Sequence, residues 1–287
     1  MSQTFTDFEC ILINDCSIDN SGNICDKYSE NDNRIKVIHN LKNIGSSLSR
    51  NTGLKYSSCN YIIFVDSDDW IEPNTLELVI NMAITENFDI IVFGCYKNYE
   101  DGTNNIIQQD FNHVDNINFI KKIIKNSIKA YLCNKLLKKD ILMNINFPIH
   151  SRSEDYAIII QYIYLANKIG FLNLPLYHYY YNSLSLSNNK ERKILGQNEE
   201  IQNWCFILNF LKSKYTNLNI FEPELSNRIN NIYYTKHSDK LLKKKLIQLY
   251  PESRSFLQTI KYLPKLIIKR ILPNKIFILI KNIRRHT

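Results

Sequence analysis

The chain has 287 residues, 44% of them hydrophobic and 22% charged, a composition typical of a folded globular protein with a sizeable core. Its net charge is +8, but residues 253–287 hold nine Lys or Arg and no acid, so the rest of the chain is close to neutral. This asymmetry argues against a general nucleic-acid-binding surface and predicts one basic tail with a partner of its own.

Seven cysteines are scattered along the chain without a C-x-x-C pair. The pattern excludes the common zinc and redox motifs and predicts reduced, mostly buried thiols. No stretch reaches the roughly 18 to 20 apolar residues of a membrane-spanning helix, and the first residues lack the apolar centre of a signal peptide. These features predict a cytoplasmic protein.

Apolar runs and helical patterns alternate strictly in the first third of the chain. The runs at 8–13 and 61–65 predict buried strands that deliver Asp15 and Asp66 at their carboxyl ends. This alternation indicates an α/β, Rossmann-like, mostly parallel sheet with crossover helices, whose ligands bind at the carboxyl ends of the strands. The predicted strands lie at 8–13, 34–39, 61–65 and 88–96, and the predicted helices at 19–30, 48–56 and 73–86.

The pattern changes in the polar, Asn-rich segment 101–118, where we place a subdomain boundary. Beyond it, helices are predicted at 119–139 and 154–168, and two short strands within 171–181, broken at Pro175. From about Lys190 the pattern is helical.

The acidic cluster Asp66-Ser67-Asp68-Asp69 falls at the predicted ligand-binding edge of the sheet. Carboxylate oxygens suit Mg²⁺ or Mn²⁺, and few protein ligands are needed where a diphosphate supplies others. The same cluster could instead be a solvated turn that caps the helix near Pro73. Spacing alone leaves both interpretations open.

Three motifs in order resemble family 2 glycosyltransferases, which are metal-dependent enzymes of the GT-A fold. They are ILINDCSID at 11–19, SRNTG at 49–53 and YIIFVDSDDW at 61–70. The resemblance covers 5–100 clearly and continues more weakly to about residue 187. It implies a nucleotide-sugar-binding half at 1–110 and an acceptor-side half at 111–189. The tail does not contribute to the resemblance; its own pattern predicts a helical basic extension at 190–287, C-terminal to the GT-A domain.

The resemblance also implies roles for single residues. Asp15 would bind the uracil ring of a UDP-sugar, and Arg50 would lie beside the nucleotide. Asp66 would approach the ribose, and Asp68, with Asp66 beside it, would hold Mn²⁺ or Mg²⁺. These are the donor-binding and metal-binding residues that we expect.

Glu154 and Asp155 match a Glu-Asp pair that lies near this place in the family. The resemblance implies that Asp155 is the general base that takes the proton of the acceptor hydroxyl and that Glu154 orients the acceptor or tunes its partner. Displacement without a covalent intermediate inverts the anomeric configuration. Alternatively, the two carboxylates only favour the start of a helix, with Ser153 as its cap.

An aromatic run at 177–181 and Trp70 leave further alternatives open. The run could stack on a sugar or lend His178 to a metal, or it could be a half-buried edge strand. Trp70 could form a wall of the donor pocket or belong to the core.

One family feature has no counterpart in this sequence: an apolar strand and a helix that usually precede the segment at Ser2. We expect the sheet to lack that strand, which exposes apolar faces and backbone groups of its neighbours. A misplaced start, a fragment, or a shortened form that pairs with another polypeptide would each account for it.

The basic tail interleaves apolar residues with Lys and Arg between residues 260 and 285, a pattern typical of an interfacial element. Anionic lipid headgroups would favour it; packing on the catalytic domain or a partner enzyme is the alternative. The whole sequence predicts a peripheral enzyme at the inner face of the cell membrane. It would move a hexose or N-acetylhexosamine from a UDP-sugar to a polysaccharide or lipid-linked acceptor during capsule or lipopolysaccharide synthesis. The alternative is a non-catalytic truncated remnant or interaction subunit.

Overall fold

The computed structural model describes residues 2–107, 114–181, 190–235 and 238–252, with the backbone alone at 190–195. The interfacial tail predicted at 260–285 lies outside these residues. The described strands are β1 (Cys10–Asn14), β2 (Ile35–His39), β3 (Tyr61–Ile63), β4 (Trp70–Ile71), β5 (Ile90–Tyr99), β6 (Asn104–Ile107), β7 (Lys135–Lys138) and β8 (Ile169–Tyr181). The described α-helices are α1 (Ser21–Asn31), α2 (Gly45–Tyr56), α3 (Thr75–Glu86), α4 (Asn116–Ile124), α5 (Lys139–Leu142), α6 (Glu154–Leu165), α7 (Lys190–Lys214), α8 (Glu224–Tyr233) and α9 (Lys240–Leu249).

The larger sheet has the order β3-β7-β5-β8-β4, and β6 pairs with the C-terminal half of β5. β5 and β8 are parallel, whereas β7 runs antiparallel to both β3 and β5. β3 and β5 therefore share one direction, as the alternation of strands and helices predicts, with β7 inserted between them.

Two predicted elements in the second half of the chain are wrong in part. The helix predicted at 119–139 ends at Ile124, because Asn126 adopts a left-handed φ of 63° and β7 follows. The predicted break at Pro175 is absent: β8 is one strand, and its pairing with β5 shifts register at Gly94, which lies opposite Pro175. A shift in register accommodates the missing N–H of proline without ending the strand.

β1 and β2 form a separate parallel pair. Within the described residues β1 and β3 do not pair, although the Glu9 carboxylate before β1 accepts a hydrogen bond from the N–H of Cys59 before β3, at 3.0 Å. All residues of β1 are only half-buried, and α1 has no buried residue.

Two hydrophobic clusters cover the faces of the larger sheet. The larger cluster joins α4, α6, α7, α8 and α9 to one face and includes the fully buried Trp204 and Tyr162. The smaller cluster packs α3 on the other face through Val79 and Ala83. This packing of helices on the sheet places the start of α6 opposite the turn that follows β3.

The described helices include none with the length and apolar character required to cross a membrane. The cysteines are all free, as predicted, but only Cys95, Cys133 and Cys205 are buried, so the prediction of mostly buried thiols is wrong.

Candidate active site

Arg50 of α2 joins the two predicted acidic motifs. Its Nη2 donates to Asp66 Oδ1 and its Nη1 to Glu154 Oε1, both at 2.8 Å, and Asp155 Oδ1 lies 3.7 Å from Nη1. Burial opposes the guanidinium charge, but the three carboxylates outweigh it and raise the pKa of Arg50. Asp66 and Glu154, which are 88 positions apart in sequence, therefore meet around one permanent cation.

Asp15 lies at the carboxyl end of β1, and its carboxylate is held by the start of α2. Oδ1 accepts from Asn40 Nδ2 and the N–H of Ile44, and Oδ2 accepts from the N–H of Gly45 at 2.8 Å. Burial alone would raise the pKa of Asp15, but these hydrogen bonds outweigh it and lower the pKa. Asp15 is thus a fixed anion at the first turn of α2, where N–H groups favour negative charge.

The turn at residues 66–69 is pinned by β8. Tyr177 is fully buried, and its hydroxyl accepts from the N–H of Asp66 and donates to Asp69 Oδ2 at 2.6 Å. Asp69 Oδ1 also accepts from the N–H of Tyr180. Burial raises the pKa of Asp69 to about 6 despite these bonds. The cluster does not cap the nearby helix, since α3 begins at Thr75 after Asn74.

Asp68 differs from its neighbours in this turn. Its side chain is exposed, and no described residue donates a hydrogen bond to it. The oxygen atoms of Asp68 and of the partly exposed Asp66 form a hard donor set that suits Mg²⁺ or Mn²⁺. The part of the chain that the structure describes contains no group of three or more His, Cys, Asp or Glu side chains placed to hold a metal. Two carboxylates are too few to hold such a cation without ligands from elsewhere.

Glu154 and Asp155 open α6. Ser153 does not cap this helix with its side chain and has a left-handed φ of 62°, so the predicted cap is wrong. Burial first, and then the charge of Glu154, raise the pKa of Asp155, while Arg50 lowers it in part. Asp155 Oδ1 is buried without a hydrogen-bond partner among the described residues. A carboxylate with a raised pKa and an unpaired oxygen has the properties of a general base.

The structure thus brings Arg50, Asp66, Glu154 and Asp155 into one cluster, with Asp68 in the same turn. Asp15 is connected to it through Asn40, which also donates to Ser49 beside Arg50. Sequence reasoning missed Tyr177 as the residue that pins the acidic turn. The tyrosine-rich run at 177–181 was the available signal, but nothing in it indicated which ring would turn towards Asp66.

Comparison with known proteins identifies the family of this chain. The model of the family described as "Glycosyl transferase family 2" matches residues 1–149. The chain is 32% identical over 192 residues to Glycosyltransferase GlyG of Streptococcus pneumoniae, covering 62% of this chain and 63% of GlyG. It is also 32% identical over 200 residues to the Escherichia coli UDP-Glc:alpha-D-GlcNAc-diphosphoundecaprenol beta-1,3-glucosyltransferase WfgD, covering 69% of this chain and 75% of WfgD. The chain therefore spans slightly less than two thirds of GlyG.

A solved structure shares the fold. S. aureus TarS 1-349 in complex with UDP-GlcNAc aligns with a TM-score of 0.58 and 20% identity, covering 90% of this chain and 85% of that 1-349 chain. The predicted GT-A fold is thereby confirmed. With the family model matching half of its length, the chain belongs to glycosyltransferase family 2.

Proposed function

We propose that this protein is an inverting glycosyltransferase that moves a hexose or N-acetylhexosamine from a UDP-sugar to a polysaccharide or lipid-linked acceptor in surface glycan synthesis, such as that of capsule or lipopolysaccharide. The observation that carries the proposal is the meeting of Asp66, Glu154 and Asp155 around Arg50. The similarity to WfgD and to TarS, whose names and complexes include UDP-sugars, supports the choice of donor.

On the donor side, Asp15 binds the uracil ring, Arg50 lies beside the nucleotide and Asp66 approaches the ribose. Asp68, with Asp66 beside it, holds Mn²⁺ or Mg²⁺. A divalent cation there would neutralise the negative charge of the departing diphosphate. Residues 1–110 form this nucleotide-sugar half in the proposal.

On the acceptor side, Asp155 takes the proton of the attacking hydroxyl. As the bond from that oxygen to the anomeric carbon forms, the bond from the anomeric carbon to the phosphate oxygen breaks, and UDP leaves with the electron pair. Glu154 holds Arg50 and accepts from Ser46 at 3.0 Å, which fixes the carboxylate beside the base. Residues 111–189 form this half.

In this proposal the acceptor determines where in the cell the protein works. A lipid-linked acceptor would be met at the cytoplasmic face of the cell membrane, and the basic segment 253–287 provides cations for anionic headgroups. Residues 190–287 are the helical basic tail of the proposal, and no nucleic-acid partner is expected.

The experiment is a thermal unfolding series on the full chain with Mn²⁺ alone and with Mn²⁺ plus UDP. Ligand at about 100 times its dissociation constant should stabilise the protein by about 2.7 kcal/mol. Asp68→Ala should abolish the shift, and Asp140→Ala, a change of one exposed acid in α5, should preserve it. A folded protein that shows no shift contradicts the proposal. If the thermal shift is observed, the release of UDP is then measured with UDP-glucose, UDP-galactose and UDP-N-acetylglucosamine as donors.

A second candidate is a non-catalytic remnant or interaction subunit. The observation that favours it is the break between β1 and β3, which separates Asp15 from the sheet that carries Asp66. This candidate predicts a folded chain that UDP and Mn²⁺ do not stabilise, so the same series separates the two.

A further inference from the structure

A row of four side chains crosses the larger sheet from β4, which follows the acidic turn, over β8 and β5 to β6. Tyr96 of β5 is the register partner of Ile106 of β6 and of His178 of β8, and His178 is the partner of Trp70 of β4. Register partners lie on the same face of a sheet. We call Ile106, Tyr96, His178 and Trp70 the Trp70 row.

The aromatic members of the row are stacked face to face. The ring centroids of Trp70 and His178 are 4.8 Å apart with planes 10° from parallel, and those of Tyr96 and His178 are 4.6 Å apart at 19°. Both nitrogens of His178 are engaged, Nε2 with Glu72 Oε1 at 2.8 Å and Nδ1 with Asn98 Nδ2 at 3.2 Å. His178 is therefore a fixed spacer between two rings, and the interpretation of it as a metal ligand is not supported.

Both ends of the row are open to solvent. Trp70 is 46% exposed and Ile106 is 48% exposed, so neither belongs to the core. The opposite face of β5 and β8 carries Cys95 and Tyr177, which are buried in the smaller core cluster. Trp70 has one ring face on His178, and its exposure places the other face towards solvent.

Uncharged polar side chains border the row. Asn104, Asn98 and Tyr180 form the next row on the same face, since Asn98 is the register partner of both others. Neighbouring strands are about 4.8 Å apart, so a row across four strands is about 14 Å long. The surface therefore combines the open ring face of Trp70 with ring edges, amides and a hydroxyl beside it.

We infer that the Trp70 row binds the carbohydrate chain of the acceptor, beyond the sugar that reacts. A pyranose ring has an apolar face of C–H groups that stacks on an aromatic ring, and hydroxyls at its edge that pair with amides and carboxylates. Trp70 follows Asp69 directly in the chain, so the row begins at the acidic turn and leads away from it. The inference rests on the proposed function, because the bound chain is the acceptor only if the protein transfers a sugar to it.

The test compares Trp70→Leu, which keeps apolar area without the ring face, with Trp70→Phe, which restores a smaller ring. Tyr56→Leu at the end of α2 is the matched control, since Tyr56 is an aromatic residue with 62% exposure away from the row. Each full-length variant is applied to a printed array of bacterial capsular and lipopolysaccharide oligosaccharides, and its UDP-Mn²⁺ thermal shift is measured in parallel. Tryptophan emission reports directly on the row in the wild type, because the other tryptophan, Trp204, is fully buried.

We expect the wild type to bind oligosaccharides with a change in emission, and Trp70→Leu to bind them about tenfold more weakly, as truncation of an aromatic anchor commonly does. Trp70→Phe should recover part of the loss, and Tyr56→Leu should bind as the wild type does. The inference is overturned if Trp70→Leu binds the same glycans equally well, if it loses the UDP-Mn²⁺ shift instead, or if the wild type binds UDP-Mn²⁺ and no glycan. Glycan binding that depends on Trp70 without any UDP-Mn²⁺ shift would uphold the row and reject the proposed transferase.

Discussion

Asp155 carries a conflict between stability and activity. Burial and the neighbouring Glu154 charge raise its pKa above the ordinary value of about 3.9, so the folded chain binds this proton more tightly than the unfolded chain does. Stability from the group is present at low pH and is lost as the pH rises through the folded-state pKa. At pH 8 the ionised carboxylate therefore destabilises the fold.

Asp155→Asn should remove the proposed general base and, at the same time, the buried charge that destabilises the fold. Activity should fall by about 10²–10⁴-fold. The thermal midpoint at pH 8 should rise by about 2–4 °C, the effect of about 1 kcal/mol in a domain of this size, and the difference should shrink towards pH 5. Melting curves and UDP release between pH 5 and pH 8 check both parts. A midpoint that is lower than that of the wild type at pH 8 would contradict the electrostatic argument.

The hydroxyl of Tyr177 joins Asp66 and Asp69 within the acidic turn. Tyr177→Phe leaves the N–H of Asp66 and the carboxylate of Asp69 without this partner, so the turn should loosen and UDP-Mn²⁺ should bind about tenfold more weakly. Tyr162→Phe is the control, because that buried hydroxyl also bonds to backbone, at Asp89 and Lys138, but away from the turn. Calorimetric titration should show weaker binding in the first variant only; equal losses would reduce Tyr177 to a general stabilising residue.

At the scale of elements, the connection between α4 and β7 depends on one buried cation. Lys135 is fully buried, and its ammonium donates to the carbonyl oxygens of Lys129 and Tyr131 and to Asn134 Oδ1. Burial lowers the pKa of Lys135 to about 8. Lys135→Met should reduce the free energy of unfolding by about 3 kcal/mol in urea titrations, because three buried acceptors lose their donor.

Lys138→Met provides the comparison for that change. Lys138 lies in the same strand, keeps 34% of its side chain exposed and meets Asp89 at 3.4 Å. Asp89 retains the N–H groups of Asn167 and Lys168 as donors, so the loss should stay below about 1 kcal/mol. If both variants lost a similar free energy of unfolding, the buried ammonium of Lys135 would not be what stabilises the connection between α4 and β7.

The same connection shows where prediction from sequence ends. The first strands and helices were predicted closely, because buried strands and crossover helices have distinct periodicities. The apolar spacing of α4 continues past Ile124, but the helix ends there, just before the left-handed Asn126. β7 has four residues and no alternation, so its insertion between β3 and β5 depends on tertiary pairing that no local pattern carries.

At the scale of the whole molecule, motifs predict the candidate site residues, but not how the fold arranges them. Arg50 as the shared partner of Asp66 and Glu154 depends on α2 lying beside the start of α6, although Arg50 and Glu154 are 104 positions apart in sequence. The break in the sheet has a similar origin. It separates Asp15 from Asp66 in the sheet order while α2 connects them, so donor binding should couple the two sheets.

Hydrogen exchange measured by mass spectrometry tests this coupling. β1 has no fully buried residue, whereas Ile90 to Phe93 of β5 are fully buried, so peptides from 10–14 and 35–39 should exchange faster than those from 90–93 in the free protein. UDP with Mn²⁺ should slow exchange in the first two segments and leave the third unchanged, because a ligand that spans Asp15 and Asp68 stabilises only the states in which both are in place. Asp68→Ala should remove this protection. Exchange in 10–14 that is as slow as in 90–93 without ligand would mean that the break between β1 and β3 does not weaken the smaller sheet.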